Sequence, residues 1–128
     1  MELVDFNRNK NILVIDDCED HLSLIELLLE NEGYKVKTAN NGTKGLAAIK
    51  EQCPELIILD WMMPEISGLE IIKYIKSRRL GSNIPIVLLT ANTNLEYEHT
   101  QQVDALCYKP FHVENLLNEI KYLLSSQT

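Results

Sequence analysis

No apolar run in this chain approaches the roughly 18 residues that a membrane-spanning helix requires. The N-terminal stretch Met1-Glu2-Leu3-Val4-Asp5 is acidic and carries no long apolar segment, so no signal peptide is expected. Cysteine is scarce. Cys18, Cys53 and Cys107 are odd in number and far apart, with no Cys-x-x-Cys and no Cys/His ligand spacing. That pattern indicates neither a disulfide framework nor a zinc site and points to a reducing cytoplasm. The three thiols then read as small buried or half-buried hydrophobes. Basic residues are outnumbered, 12 Lys+Arg against 19 Asp+Glu, for a formal net charge of −7. Phosphate contacts need a basic face, so nucleic acid is not expected as a direct ligand. An anionic membrane surface is disfavoured for the same reason. There is no Gly-x-x-x-x-Gly-Lys and no Gly-rich first turn, which argues against a nucleotide-binding role. No Gly/Ser/Pro linker, repeat or low-complexity segment divides the 128 residues, so a single domain is expected.

What is present is an alternation of strand and helix signals. Ile12-Leu13-Val14-Ile15 is a short apolar run, too short for a helix. Glu19 to Asn31 places Leu22, Ile25, Leu28 and Leu29 at helical spacing, with Gly33 as a stop. Tyr34 to Thr38 alternates Tyr and Val with Lys, a half-buried strand. After the turn Asn40-Asn41-Gly42, Thr43 to Glu51 reads as a helix with Leu46 and Ile49 inward, and Pro54 breaks the chain. Leu56-Ile57-Ile58-Leu59 is a second apolar strand. Beyond Pro64 and Gly68, Leu69, Ile72 and Ile75 space a helix that ends near Gly81. Ile84 to Leu89 is a further apolar strand, and Leu95 to Gln102 a helix with poor apolar spacing. Ala105 to Tyr108 is a short strand. Val113, Leu116, Leu117, Ile120 and Leu123 mark an amphipathic helix.

Five strands and five helices in strict alternation imply an α/β fold, a doubly wound parallel sheet with helices on both faces. The wholly apolar strands belong in the centre. The strand bearing Lys35 and Lys37 and the short Ala105 strand belong at the edges. With right-handed crossovers the order 2-1-3-4-5 meets these demands. Ligands of such sheets sit at the carboxyl ends of the strands flanking the switch point, here the first and third.

Carboxylates fall at those ends. Asp16 and Asp17 close the first strand and Asp60 closes the third. Three like charges converging on one shallow pocket call for a cation. Hard oxygen donors in an open cleft suit Mg²⁺, which keeps several waters and takes carboxylates together with phosphate oxygens. Thr90 ends the fourth strand and Lys109 follows the fifth, so both belong on the same rim. One Lys and one Mg²⁺ balance the three carboxylates, and such a site can accept a dianionic phosphoryl transition state.

Taken together, Asp16-Asp17 after an apolar strand, Asp60-Trp61-Met62-Met63-Pro64-Glu65-Ile66-Ser67-Gly68, Thr90-Ala91 and Lys109-Pro110-Phe111 resemble the response-regulator receiver domain of two-component signalling. The resemblance runs from about residue 11 to 124 and implies a flavodoxin-like receiver, of the single-domain type, as a bacterial cytoplasmic phosphoprotein. It implies that Asp60 accepts a phosphoryl group from the histidine of a sensor kinase or a histidine phosphotransfer protein. Asp17, Asp60 and the backbone carbonyl of Met62 would ligate Mg²⁺, with Asp16 acting mainly through a bound water. Lys109 would contact the phosphoryl group and Thr90 would hydrogen-bond it. The domain would then alter binding to an output protein, and it would not be an enzyme in its own right.

Some positions depart from that pattern. The switch aromatic of the family falls three residues before the Lys, where this chain has Leu106. Tyr108 has the same strand parity but lies nearer the Lys. The stretch between Thr90 and Lys109 is a few residues short, in the region of the Leu95–Gln102 helix. Gln102-Val103 stands where a Gly-Ala pair often precedes the last strand. Met62 is an apolar side chain at a position where, in the family this chain resembles, side chains affect how water reaches the acyl phosphate. His21, His99 and His112 are scattered, and no role is assigned to them. An alternative reading is a receiver-like interaction module that works without phosphorylation. A phosphohydrolase of the haloacid dehalogenase type would need Asp-x-Asp after the first strand, and Asp16-Asp17-Cys18-Glu19 does not supply it.

Overall fold

A computed structural model describes residues 10–61, 63, 66–77, 84–91 and 103–125. Its elements are β1 (Asn11–Ile15), α1 (Glu19–Asn31), β2 (Lys35–Ala39), α2 (Gly42–Glu51), β3 (Leu56–Asp60), α3 (Gly68–Ser77), β4 (Ile86–Thr90), β5 (Ala105–Tyr108) and α4 (Val113–Ser125). The sheet order is β2-β1-β3-β4-β5, with every neighbouring pair parallel, as the strand compositions require. The helix expected over Leu95–Gln102 lies outside the described residues, as does Met62. No helix among the described residues is long and apolar enough to cross a membrane.

The period of two along the strands divides the interior into two layers. Ile12, Val14, Leu56, Ile58, Val87 and Leu89 face one side, where α1 lays down Leu22, Ile25 and Leu29 and α4 lays down Leu116, Ile120 and Leu123. Leu13, Ile15, Ile57, Leu59, Ile86 and Leu88 face the other, covered by Ala48 and Ile49 of α2 and by Ile71, Ile72 and Ile75 of α3. β3 and β4 are buried along their whole length, whereas β2 alternates between exposed and half-buried until Ala39. Central and edge strands therefore differ in the way their apolar and lysine content demands.

β2 and β4 begin later than the sequence reading places them. β2 begins at Lys35 and not at Tyr34. Gly33 takes a positive φ of 97° and its N–H bonds Glu30, so α1 closes through a left-handed glycine. Tyr34 is still part of that closure, its N–H bonding the Leu29 carbonyl while its ring is buried under α1. β4 begins at Ile86 and not at Ile84, because Pro85 has no N–H to give the ladder. The start of α2 is fixed by Asn41, whose side chain accepts the Lys44 N–H at 2.8 Å.

Candidate functional site

The strand registers bring the sequence-selected residues to one edge. Asp16 follows β1 and its N–H bonds the Ala39 carbonyl at the end of β2. Asp60 is the last residue of β3, opposite Leu89 of β4. Thr90 ends β4 opposite Tyr108, and the Lys109 N–H bonds the Thr90 carbonyl at 2.8 Å. These are the carboxyl ends of parallel strands, where neighbouring loops diverge and leave a cleft.

Carboxylate oxygens of Asp16, Asp17 and Asp60 lie within 4.8 Å of one another. Asp16 and Asp60 are buried and Asp17 is exposed, so the cluster opens to solvent through Asp17. Asp16 Oδ1 accepts the Cys18 N–H at 2.9 Å, a tight turn that carries the chain from β1 into α1. Lys109 Nζ stands 3.2 Å from Asp16 Oδ2 and 3.6 Å from Asp60 Oδ2. The formal charge of these four groups is −2, which a single divalent cation would cancel. An all-oxygen donor set of this kind suits a hard cation such as Mg²⁺.

Gly68 positions the loop after Asp60. A Cβ there would lie 3.0 Å from Trp61 Cα and 3.1 Å from the Asp60 carbonyl oxygen, so only glycine lets the start of α3 come this close. Its N–H bonds the Trp61 carbonyl at 3.1 Å. That contact accounts for a glycine eight residues after the aspartate.

His21, left without a role by sequence reasoning, belongs to this rim. Its Nδ1 is 3.3 Å from Asp16 Oδ2 and 3.3 Å from Lys109 Nζ. No spacing signal marked it, because Asp17 lies before α1, which starts at Glu19. On β5, Leu106 pairs with Leu88 and packs against the layer under α2 and α3. Tyr108 pairs with Thr90 and is largely exposed. Cys107 is half-buried, and burial, together with the Glu119 carboxylate, pushes its thiol pKa up.

Sheet order, strand-end acids and a facing lysine define a doubly wound α/β protein with an acidic pocket at its switch point. Comparison with known proteins narrows this class. The chain belongs to the response regulator receiver domain family, whose model matches residues 12–121. It is 38% identical over 117 residues to the uncharacterized transcriptional regulatory protein YkoG of Bacillus subtilis, covering 89% of this chain and 50% of that protein. It is 34% identical over 120 residues to the alkaline phosphatase synthesis transcriptional regulatory protein PhoP of the same organism, covering 91% and 49%. The chain thus spans about half the length of the curated relatives it matches. Among solved structures it is similar to the receiver domain of Francisella response regulator 1452, with a TM-score of 0.85, 26% identity, and 94% and 100% of the two chains covered. It is also similar to the chemotaxis response regulator CheY4 of Vibrio cholerae, with a TM-score of 0.80, 28% identity, and 90% and 98% covered.

Proposed function

We propose that this chain is a phospho-accepting signalling switch in which Asp60 takes a phosphoryl group from a phosphohistidine donor in a Mg²⁺-dependent reaction. The observation that carries the reading is the convergence of three carboxylates within 4.8 Å, with the Lys109 ammonium against two of them. The donor would be a sensor histidine kinase or a histidine phosphotransfer protein, and the setting the cytoplasm.

An Asp60 carboxylate oxygen attacks phosphorus, the donor's P–N bond breaks, and its electron pair returns to the imidazole, which takes up a proton. The product is an aspartyl phosphate. Lys109 lies 3.6 Å from the Asp60 oxygen, close enough to pair with a phosphoryl oxygen as charge builds there. Thr90, buried at the end of β4, offers its hydroxyl to the same group. Asp17 and Asp60 would hold the cation, joined by the Met62 carbonyl and, through water, by Asp16. Bound there, it supplies screening between the carboxylate nucleophile and an anionic donor. The chain acts as acceptor and assists its own phosphorylation and dephosphorylation; it is not an enzyme for other substrates. The new charge then shifts a bistable surface that an output protein reads.

Trp61, the only tryptophan, adjoins Asp60 and reports on the pocket. Its fluorescence is expected to change saturably on addition of Mg²⁺ and again on beryllofluoride, a phosphoryl mimic. Acetyl phosphate is expected to label the wild type and not Asp60→Asn. Stoichiometric labelling of Asp60→Asn would overturn the role of Asp60. A wild type that neither binds Mg²⁺ nor accepts phosphoryl would establish the interaction-module reading instead.

A further inference from the structure

We infer that His21 is a positioning residue for Lys109. The inference rests on the phosphoacceptor reading above and adds a residue that this reading does not contain. An ammonium has three N–H donors and no acceptor. Lys109 Nζ faces Asp16 Oδ2 at 3.2 Å, His21 Nδ1 at 3.3 Å and Asp60 Oδ2 at 3.6 Å. The two shorter contacts come from residues that flank the start of α1, and the longest comes from the proposed acceptor. Asp16 and His21 therefore form a two-point seat for the ammonium, and its third N–H is directed at Asp60.

A seat of this kind requires the imidazole proton on Nε2. Nδ1 sits 3.3 Å from both the Lys109 ammonium and the Asp16 carboxylate. A proton on Nδ1 would point an N–H at the carboxylate but also set it against the neighbouring ammonium. With the proton on Nε2, Nδ1 presents a lone pair and Lys109 donates to imidazole and carboxylate together. The lysine side chain is then fixed from two directions, although it arrives from a loop 88 residues away in the chain.

The consequence lies in preorganisation. Lysine is a flexible point charge whose orientation must be fixed before it stabilises a transferring group without further ordering. Without Nδ1, the ammonium keeps only carboxylate partners in the described contacts and draws in toward them. It must then be pulled away when a phosphoryl oxygen needs it. His21 is half-exposed at the mouth of the pocket, so its replacement leaves both apolar layers intact.

The test uses His21→Leu, which keeps bulk and removes the acceptor, and His21→Asn, whose amide oxygen lies near the position of Nδ1. In ¹⁵N-labelled protein, the wild-type imidazole is expected to show the Nε2–H pattern. The Lys109 Nζ resonance is expected to shift and exchange faster with solvent in His21→Leu and to recover in His21→Asn. With acetyl phosphate, the phosphorylation rate of His21→Leu is expected to fall roughly tenfold, the scale of one hydrogen bond to a charged group, and to recover in His21→Asn. A proton on Nδ1, or a Lys109 resonance indifferent to His21→Leu, would overturn the inference. So would a rate that His21→Asn fails to rescue. If the wild type takes no phosphoryl group while the resonances behave as described, the phosphoacceptor reading fails and the seat for Lys109 stands.

Discussion

Asp60→Asn should make the metal-free protein more stable, although it removes a residue from the centre of the site. At an effective dielectric of about 20, two unit charges within 4.8 Å repel by at least about 3.5 kcal/mol. Asp60 faces that repulsion from Asp16, which is buried, and from Asp17, which is exposed and whose share is cut by solvent to about half. Against this stands its attraction to Lys109 at 3.6 Å, about 4.6 kcal/mol on the same scale. Repulsion exceeds attraction by at least about 0.6 kcal/mol. Burying an amide in place of a carboxylate acts in the same direction. Lys109 keeps Asp16 and His21 as partners, so the substitution leaves no orphaned cation. The expected gain is about 1–2 kcal/mol, or roughly 5 °C in the unfolding midpoint for a chain of this size. Thermal unfolding followed by circular dichroism in EDTA measures it directly. Mg²⁺ should then reverse the order. A ligand at about 100 times its Kd adds about 2.7 kcal/mol to the protein that binds it, and the variant has lost a ligating carboxylate. An Asp60→Asn protein that is less stable than wild type in EDTA would refute the reasoning. It would mean that the Lys109–Asp60 pair outweighs the crowding of like charges.

Other positions test the packing and the environment of β5. A Cβ added at Gly45 would lie 2.6 Å from Cδ1 of Ile15, so Gly45→Ala should destabilise by about 1–2 kcal/mol after its gain in helix propensity. Ile15→Val removes that Cδ1, and denaturant melts of the double variant should show less than the sum of the two single losses. Cys107, its thiol pKa raised by burial and by Glu119, should alkylate at pH 8 several-fold more slowly than the exposed Cys53, as judged by mass spectrometry of trapped peptides. A thiol pKa raised by folding favours the protonated form. Its contribution is therefore complete below about pH 8.5 and lost as pH rises through the folded value, a loss that Cys107→Ala should abolish.

The fold was legible because its determinants are local. β1, β3 and β4 are apolar on both faces, β2 carries lysines, α1 shows helical spacing with Gly33 as its stop, and α4 shows helical spacing. The errors arose where one residue overruled a pattern. Tyr34 matched the alternation of β2 but is held by the closure of α1, and Ile84 matched β4 but is followed by Pro85. The acids were legible for a topological reason. Once the order places β1 beside β3, residues at their carboxyl ends must meet, whatever their separation in sequence. His21 had no such marker. It reaches the pocket from the first turn of α1, just after the turn in which Asp16 Oδ1 accepts the Cys18 N–H, and its Nδ1 comes back to Asp16 Oδ2. That contact is tertiary geometry, invisible to periodicity.

The same distinction separates the chemistry of this domain from its readout. Asp16, Asp60, Thr90 and Lys109 are fixed by where strands end, and strand ends follow from composition. On β5, the strand register decides which residue stands opposite Thr90. The register sets Tyr108 against Thr90 and sets Leu106 one pleat back against Leu88. Leu106 is already packed in the layer beneath α2 and α3, whereas the Tyr108 ring is exposed. An aromatic two residues later in the strand keeps the same face of the sheet. It changes its depth along the edge, from the level of Leu88 to that of the proposed phosphoryl-binding hydroxyl. A ring at that level is the cross-strand neighbour of Thr90, whereas Leu106 pairs with Leu88.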